Sequence, residues 1–404
     1  MKKNVVALAL LLCLGLTGCS GMLERSYEVS TPHVDRPATA EDPSILRVEN
    51  YRELVSAVLY FVSQGEETGV IQLYDYPGDV EADLAAACLE VAAEDPLGAY
   101  CVDYIKHELV RVVSYDQATL SIRYRRTMEQ VASMVNVTGT SAIRAEVRDA
   151  LSNFDQELVL RVAYLAEDEE SLAQLIRETY YGAPQAALGM PQVEINLYPD
   201  SGSQRVVEIL LTYPGDPYEL SANAADLSRM AEEIAGEYRS LPADDIPLGA
   251  AQALYTRVVY DPDGPSNPYD ALMEGRGDSE GMALVYSLLC AQVHLGGPNC
   301  DIVEGVLTLP AEDAPDGTAE DGEDQPPSGW EYRFWNQITL PGREPLYLDL
   351  TTGETSFRTA QELFNLGYRW ADGPAEQIQA TLTLVDPLPQ ESGEPGETPA
   401  PAGE

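Results

Sequence analysis

The chain has 404 residues, with 24 Lys and Arg against 67 Asp and Glu, for a formal net charge of −43. So acidic a surface repels phosphate backbones and anionic headgroups, which argues against nucleic acid as a partner and favours cations or basic peptides. Only three histidines occur, His33, His107 and His294, and no Cys/His cluster has zinc-site spacing; neither metal nor cofactor is expected.

The first residues, MKKNVVALALLLCLGLTGCS, join two lysines to an apolar run from Val5 to Leu14 and then to Leu16-Thr17-Gly18-Cys19. The run has export-signal length and is too short to span a membrane. LTGC resembles the lipobox of bacterial lipoproteins, which implies cleavage before Cys19 and acylation of that residue; the plainer reading is an ordinary signal in which Cys19 is incidental. On the resemblance, residues 1–18 are a signal peptide, and the mature chain is lipid-anchored through Cys19 at the extracytoplasmic face of the cell membrane. Residues 19–45, polar and proline-punctuated, read as a flexible tether.

Helical spacing over Tyr51 to Gln64 is followed by the strand GVIQLYDY, a helix over Val80 to Ala93, and the strand pair YIKHELVRVV and ATLSIRYRR. The order then recurs: a helix over Ala142 to Asn153, the strand ELVLRVAYL, a helix over Glu170 to Tyr181, and the strands PQVEINLYP and QRVVEILLTYP. Period-2 alternation in the strands and 3.6-period stripes in the helices give two tandem αβαββ units, 46–130 and 131–217. The alternative is one α+β domain whose elements happen to alternate.

From residue 218 the character changes. Two helices, SANAADLSRMAEEIAGEYRSL and Pro247 to Val258, lead to the loop DPDGPSNPYDAL, the helix EGMALVYSLLCAQVHL and the strands CDIVEGVLTL, WEYRFWNQITL and EPLYLDLTTG. DPDGPSN looks like the start of a calcium loop but lacks the downstream bidentate Glu, so a polar turn is expected. Residues 310–329 form an acidic insertion without a basic residue, and 386–404 a Pro/Gly/Glu-rich tail, both unable to order by themselves. Four cysteines remain besides Cys13 and Cys19: Cys88, Cys101, Cys290 and Cys300. In an exported chain their even number and pairwise proximity suggest Cys88–Cys101 and Cys290–Cys300 bridges; three connectivities exist, and buried free thiols are the alternative.

GRGDSEGMA, then RFWN, then YLDLTT carry the chemical argument. A helix opening G-x-G-x-nucleophile-E-G-x-A, a strand pair with W-N, and a strand ending L-D-x-T resemble the transglutaminase-like superfamily. The resemblance covers Asp245 to Thr352, about a quarter of the chain. It implies a papain-like α+β domain, which with its helical lead-in makes up 218–385, and a Cys-His-Asp triad for acyl transfer to amines or for peptide and amide hydrolysis. The three catalytic positions fall on Ser279, Arg333 and Asp349, so Cys and His are both substituted. Arg333 cannot act as a base because a guanidinium stays protonated. His294 is expected about four turns along the same helix from Ser279. Glu280 and Glu331 are weak bases for a hydroxyl, and a helix dipole worth about 0.3–1 kcal/mol does not make alkoxide.

Helix capping accounts for Asp278 and Ser279 without chemistry, and Arg333 with Asp349 is expected to form an ion pair. GRGDS also matches an adhesion tripeptide, but the family pattern already explains its glycines. The expectation is thus a non-catalytic lipoprotein that binds a peptide, peptidoglycan or protein partner in the former cleft, with Glu280, Trp335 and Asn336 lining it. The alternatives are a Ser279-dependent hydrolase or acyltransferase, and a structural spacer or scaffold at the cell surface.

Overall fold

The computed structural model describes residues 38–39, 45–293, 297–308 and 329–374. The signal peptide, Cys19, most of the tether, the acidic insertion up to residue 328, His294 and the tail lie outside them. The chain divides into two compact units, Met1–Ser221 and Ala222–Glu404. Among the described residues no helix is long and apolar enough to cross a membrane.

The N-terminal unit holds two sheets. The first contains β1 (Ala38–Thr39), β2 (Ile45–Val48), β3 (Thr68–Leu73), β4 (Val102–Val112) and β5 (Tyr115–Tyr124), in the order β1-β2-β3-β5-β4. Helix α1 (Tyr51–Gln64) crosses between the parallel strands β2 and β3; α2 (Val80–Ala93) and the short α3 (Pro96–Cys101) lead from β3 to the β4–β5 hairpin. After α4 (Met128–Ala132), the second sheet contains β6 (Val135–Val137), β7 (Glu157–Val162), β8 (Gln192–Tyr198) and β9 (Arg205–Thr212), in the order β6-β7-β9-β8. Here α5 (Thr140–Asn153) crosses between the parallel strands β6 and β7, and α6 (Glu169–Tyr181) leads to the β8–β9 hairpin. Both sheets thus pair one parallel crossover with one antiparallel hairpin in the same strand order. The αβαββ pattern omits the short leading strands, β1 and β2 of the first sheet and β6 of the second, because two to four residues give too little alternation to register.

Local sequence explains the helices. Asn50 caps α1 by accepting the Glu53 amide at 3.0 Å, while Glu53 returns a carboxylate to the Glu49 amide at 2.9 Å. Gly65, at φ 69°, stops the helix with bonds to the Phe61 and Val62 carbonyls. Leu54, Ala57, Val58, Phe61 and Val62 form its buried stripe at three- and four-residue spacing. They join Leu84, Val91, Ile71, Leu120 and, from the second sheet, Val159 and Val206 in one core.

The C-terminal unit is organised around one helix. The boundary falls inside α7 (Pro217–Ala235); α8 (Ile246–Tyr255), β10 (Val259–Tyr260), α9 (Pro268–Glu274) and β11 (Arg276–Gly277) lead to α10 (Ser279–Ala291). Every residue of α10 from Gly281 to Cys290 is buried, as expected for a helix with an apolar surface all round. It packs on a sheet of order β14-β13-β12-β15, formed by β12 (Asn299–Thr308), β13 (Trp330–Thr339), β14 (Leu346–Leu348) and β15 (Tyr368–Arg369), with α11 (Ala360–Asn365) preceding β15.

Two sequence expectations are corrected. DPDGPSNPYDAL is not all loop: Asn267 caps α9 by accepting the Asp270 amide at 2.9 Å, and Pro268 fills the first turn. The central helix ends at Ala291 rather than running to His294. Cys88, Cys101 and Cys290 are buried and Cys300 is half-buried, each with a free thiol.

Candidate functional site

The site is assembled where α10 begins. Asp278 is the cap, its Oδ1 accepting the Gly281 amide at 2.8 Å and its Oδ2 accepting the Ser266 hydroxyl. Gly281 has to be glycine, since a Cβ there would lie 2.3 Å from the Pro265 carbonyl oxygen. The cap and this glycine hold the DPDGPSN turn against the helix and fix Ser279 as the first helical residue. Its hydroxyl does not reach for an N-terminal amide; it accepts the backbone N–H of Phe334 on β13 at 3.2 Å. Strand β14 pairs with β13 only from Asn336 to Ile338, so at Phe334 the strand lacks that neighbour and Ser279 supplies the acceptor.

Arg333 precedes this amide. Its Nε and Nη2 donate to Glu331 Oε1 at 3.2 and 2.7 Å, and its Nη1 to Asp349 Oδ2 at 3.1 Å and to Thr351 Oγ1 at 2.8 Å. Glu331 and Arg333 are two residues apart on one strand and share a face. The Arg333 side chain is only 12% exposed and that of Asp349 6%. Burial acts against the guanidinium charge, but Glu331 and Asp349 outweigh it and hold the Arg333 pKa above its usual value.

Asp349 is equally committed. Oδ1 accepts the Thr351 amide and hydroxyl at 2.8 and 2.7 Å, capping the one-turn helix Leu350–Thr352. Oδ2 accepts Arg333 and the Tyr368 hydroxyl. Burial and then the neighbouring Asp349 charge push the Tyr368 phenol up, so it remains a donor. Tyr260 donates to Glu331 at 3.4 Å, and Tyr255 secures the segment after Asp349 by donating to the Leu350 and Glu354 carbonyls, both at 3.1 Å.

The sequence-derived residues therefore divide into two groups. Ser279, Arg333 and Asp349 are linked through β13, and Glu280 lies half-buried in the first turn of α10. Trp335 and Asn336, expected to line a cleft, are both 0% exposed and belong to the core. Trp335 makes edge contacts with Tyr368 and Trp370 at 5.2 and 5.7 Å, while Asn336 Nδ2 donates to the Ala283 carbonyl at 3.0 Å. The W-N pair thus fastens β13 to α10 and to the aromatic cluster; it is not a binding surface. Sequence reasoning missed Thr351 and Tyr368 and weighed Glu331 only as a base. Only the strand spacing of Glu331 and Arg333 signalled any of these contacts.

Among the described residues the sole histidine is His107, on β4 of the N-terminal unit. The groups around Ser279 offer amide donors, a guanidinium and carboxylates already bound to it. They can hold a polypeptide segment together, but they include no neutral base hydrogen-bonded to the hydroxyl.

No family model and no curated protein matches the chain. Solved structures similar to it include "Legionella pneumophila LapG (EGTA-treated)", at 16% identity over 39% of this chain and 73% of that one, with a TM-score of 0.23. A structure titled "Crystal structure of a TGase" is 14% identical over 51% of this chain and 54% of that one, also with a TM-score of 0.23. Similarity this weak carries no activity or substrate over to this chain.

Proposed function

We propose that the protein is a lipid-anchored extracytoplasmic lipoprotein whose C-terminal unit is a transglutaminase-like domain without catalysis, serving as a binding module for a peptide, cell-wall or protein partner. One observation carries the non-catalytic part: at the position where the resemblance places the base, Arg333 is buried between Glu331 and Asp349. A guanidinium so paired neither accepts a proton nor moves to Ser279. The acceptor capacity of Ser279 is directed to the Phe334 amide, which fixes the hydroxyl to the strand.

The test is an assay of amine incorporation and amide hydrolysis on purified protein and on Ser279→Ala. Equal, background rates in both are expected; activity that disappears in Ser279→Ala would establish the serine-dependent alternative. Binding is tested separately by retention on immobilised peptidoglycan stem peptides, with the exposed Tyr332 replaced by alanine as the surface variant. The packed interior beneath Ser279, with Trp335 and Asn336 fully buried, favours a second reading, a surface spacer or scaffold. Absence of retention for wild type and Tyr332→Ala alike would select that reading.

A further inference from the structure

A second group of reactive side chains in the C-terminal unit lies at the other end of α10. Ser287 donates its hydroxyl to the Cys300 carbonyl at 2.9 Å, tying α10 to the first residues of β12. Cys290 is three residues further along, on the same helix face as Ser287, and its thiol lies within hydrogen-bonding reach of the Cys300 thiol. The Tyr286 hydroxyl, one turn earlier, also reaches Cys290 and donates to the Pro247 carbonyl at 3.1 Å. The two sulfurs therefore meet inside a fixed frame of helix, strand and phenol. Cys88 and Cys101 lie on α2 and at the end of α3, both within the apolar core of the N-terminal unit.

We propose that Cys290 and Cys300 form a disulfide that staples α10 to β12. The two thiols give up two protons and two electrons to a disulfide-class oxidant, which leaves as two thiols while one S–S bond forms. Burial pushes the Cys300 thiol well up, so little thiolate is available for exchange in the folded protein. The bridge accordingly forms before α10 and β12 close over it, and afterwards resists exchange. In the cell its formation rests on the extracytoplasmic location proposed above; the chemistry in solution does not.

The experiment follows from the placement of basic residues. No Lys or Arg lies between Gly277 and Tyr332, so one tryptic fragment, Gly277 to Arg333, contains both Cys290 and Cys300; likewise Glu53 to Lys106 contains Cys88 and Cys101. Full-length mature protein is unfolded, reduced, refolded in a glutathione redox buffer, unfolded again and alkylated. The expected result is a fragment 277–333 that is two hydrogens lighter and carries no label. A doubly labelled fragment 277–333, or a bridge joining the two fragments, would overturn the proposal.

Unfolding provides an independent measurement. All three tryptophans, Trp330, Trp335 and Trp370, lie in the C-terminal unit, so their fluorescence reports on that unit alone. Closing this short loop should raise the fluorescence-detected midpoint by roughly 5 °C relative to reduced protein. Cys300→Ser should abolish the difference while Cys88→Ser keeps it. The mass measurement requires no anchoring, so loss of the lipoprotein reading would leave it intact.

Discussion

Two clusters, one in each unit, are built from the same groups. In the N-terminal unit Arg126 Nη2 donates to Glu208 at 2.6 and 2.9 Å, Tyr198 donates to the same carboxylate at 3.2 Å, and the guanidinium lies over the Tyr100 ring at 5.3 Å. The Glu208 side chain is 2% exposed. In the C-terminal unit Arg333, Asp349 and Tyr368 repeat this set, with Glu331 added as a second carboxylate. Nothing in the sequence around Arg126 or Glu208 resembles a catalytic motif, yet the geometry is of the same kind. Charge pairing with a phenol donor is how this protein accommodates a partly or largely buried guanidinium; at Arg333 the same arrangement falls where the sequence resemblance places a base.

The two clusters differ in redundancy, and that difference can be measured. The largest effect is expected at Glu208→Ala, which leaves the half-buried Arg126 and Tyr198 without their shared carboxylate and should cost about 3–4 kcal/mol in urea unfolding followed by circular dichroism. A loss below about 1 kcal/mol would show that Arg126 finds water and that the cluster is not a closed one. Asp349→Ala should cost less, about 2–3 kcal/mol by tryptophan fluorescence, because Glu331 still pairs with Arg333 while Tyr368 and Thr351 lose their acceptor. If Asp349→Ala proves the more damaging, the redundancy assigned to Glu331 is wrong. Ser279→Ala should cost about 1 kcal/mol, the worth of the Phe334 amide's acceptor, with no change in amide chemistry.

The smallest effect concerns a carboxylate lacking such a guanidinium clamp. Asp95 caps α3 through the Leu97 and Gly98 amides at 2.9 and 3.1 Å, and burial raises its pKa despite these bonds and the attraction of Arg161. The folded state thus holds the proton more tightly than the unfolded state. Its contribution to stability is complete below the ordinary aspartate value and is lost as pH rises through the raised folded value. Asp95→Asn should therefore be slightly more stable than wild type at neutral pH, with the gain vanishing on acidification. A gain independent of pH would locate the effect in helix capping rather than in ionisation.

The helices were legible where caps and stripes coincide, as in α1 with Asn50, Glu53 and Gly65. Helix α9 was legible too, from Asn267 followed by Pro268, but the proline- and glycine-rich run around it suggested a loop. Trp335 and Asn336 were misread for a physical reason: Phe334, Trp335 and Asn336 are all buried, because β13 is covered on both faces. Strand alternation distinguishes inside from outside only when one face meets water.

By itself the sequence determined which groups occupy positions 279, 333 and 349, and hence that one of them is a permanent cation and another a hydroxyl without a histidine beside it in the motif. It also determined the order of most elements, since periodicity and capping act over a few residues. Only the tertiary structure decided the partners. Ser279 meets an amide 55 residues away, and Asp349 gathers Arg333 from 16 residues upstream and Tyr368 from 19 residues downstream. Contacts at such separations depend on how β13 and β15 pack on either side of β12, and no local pattern encodes that packing.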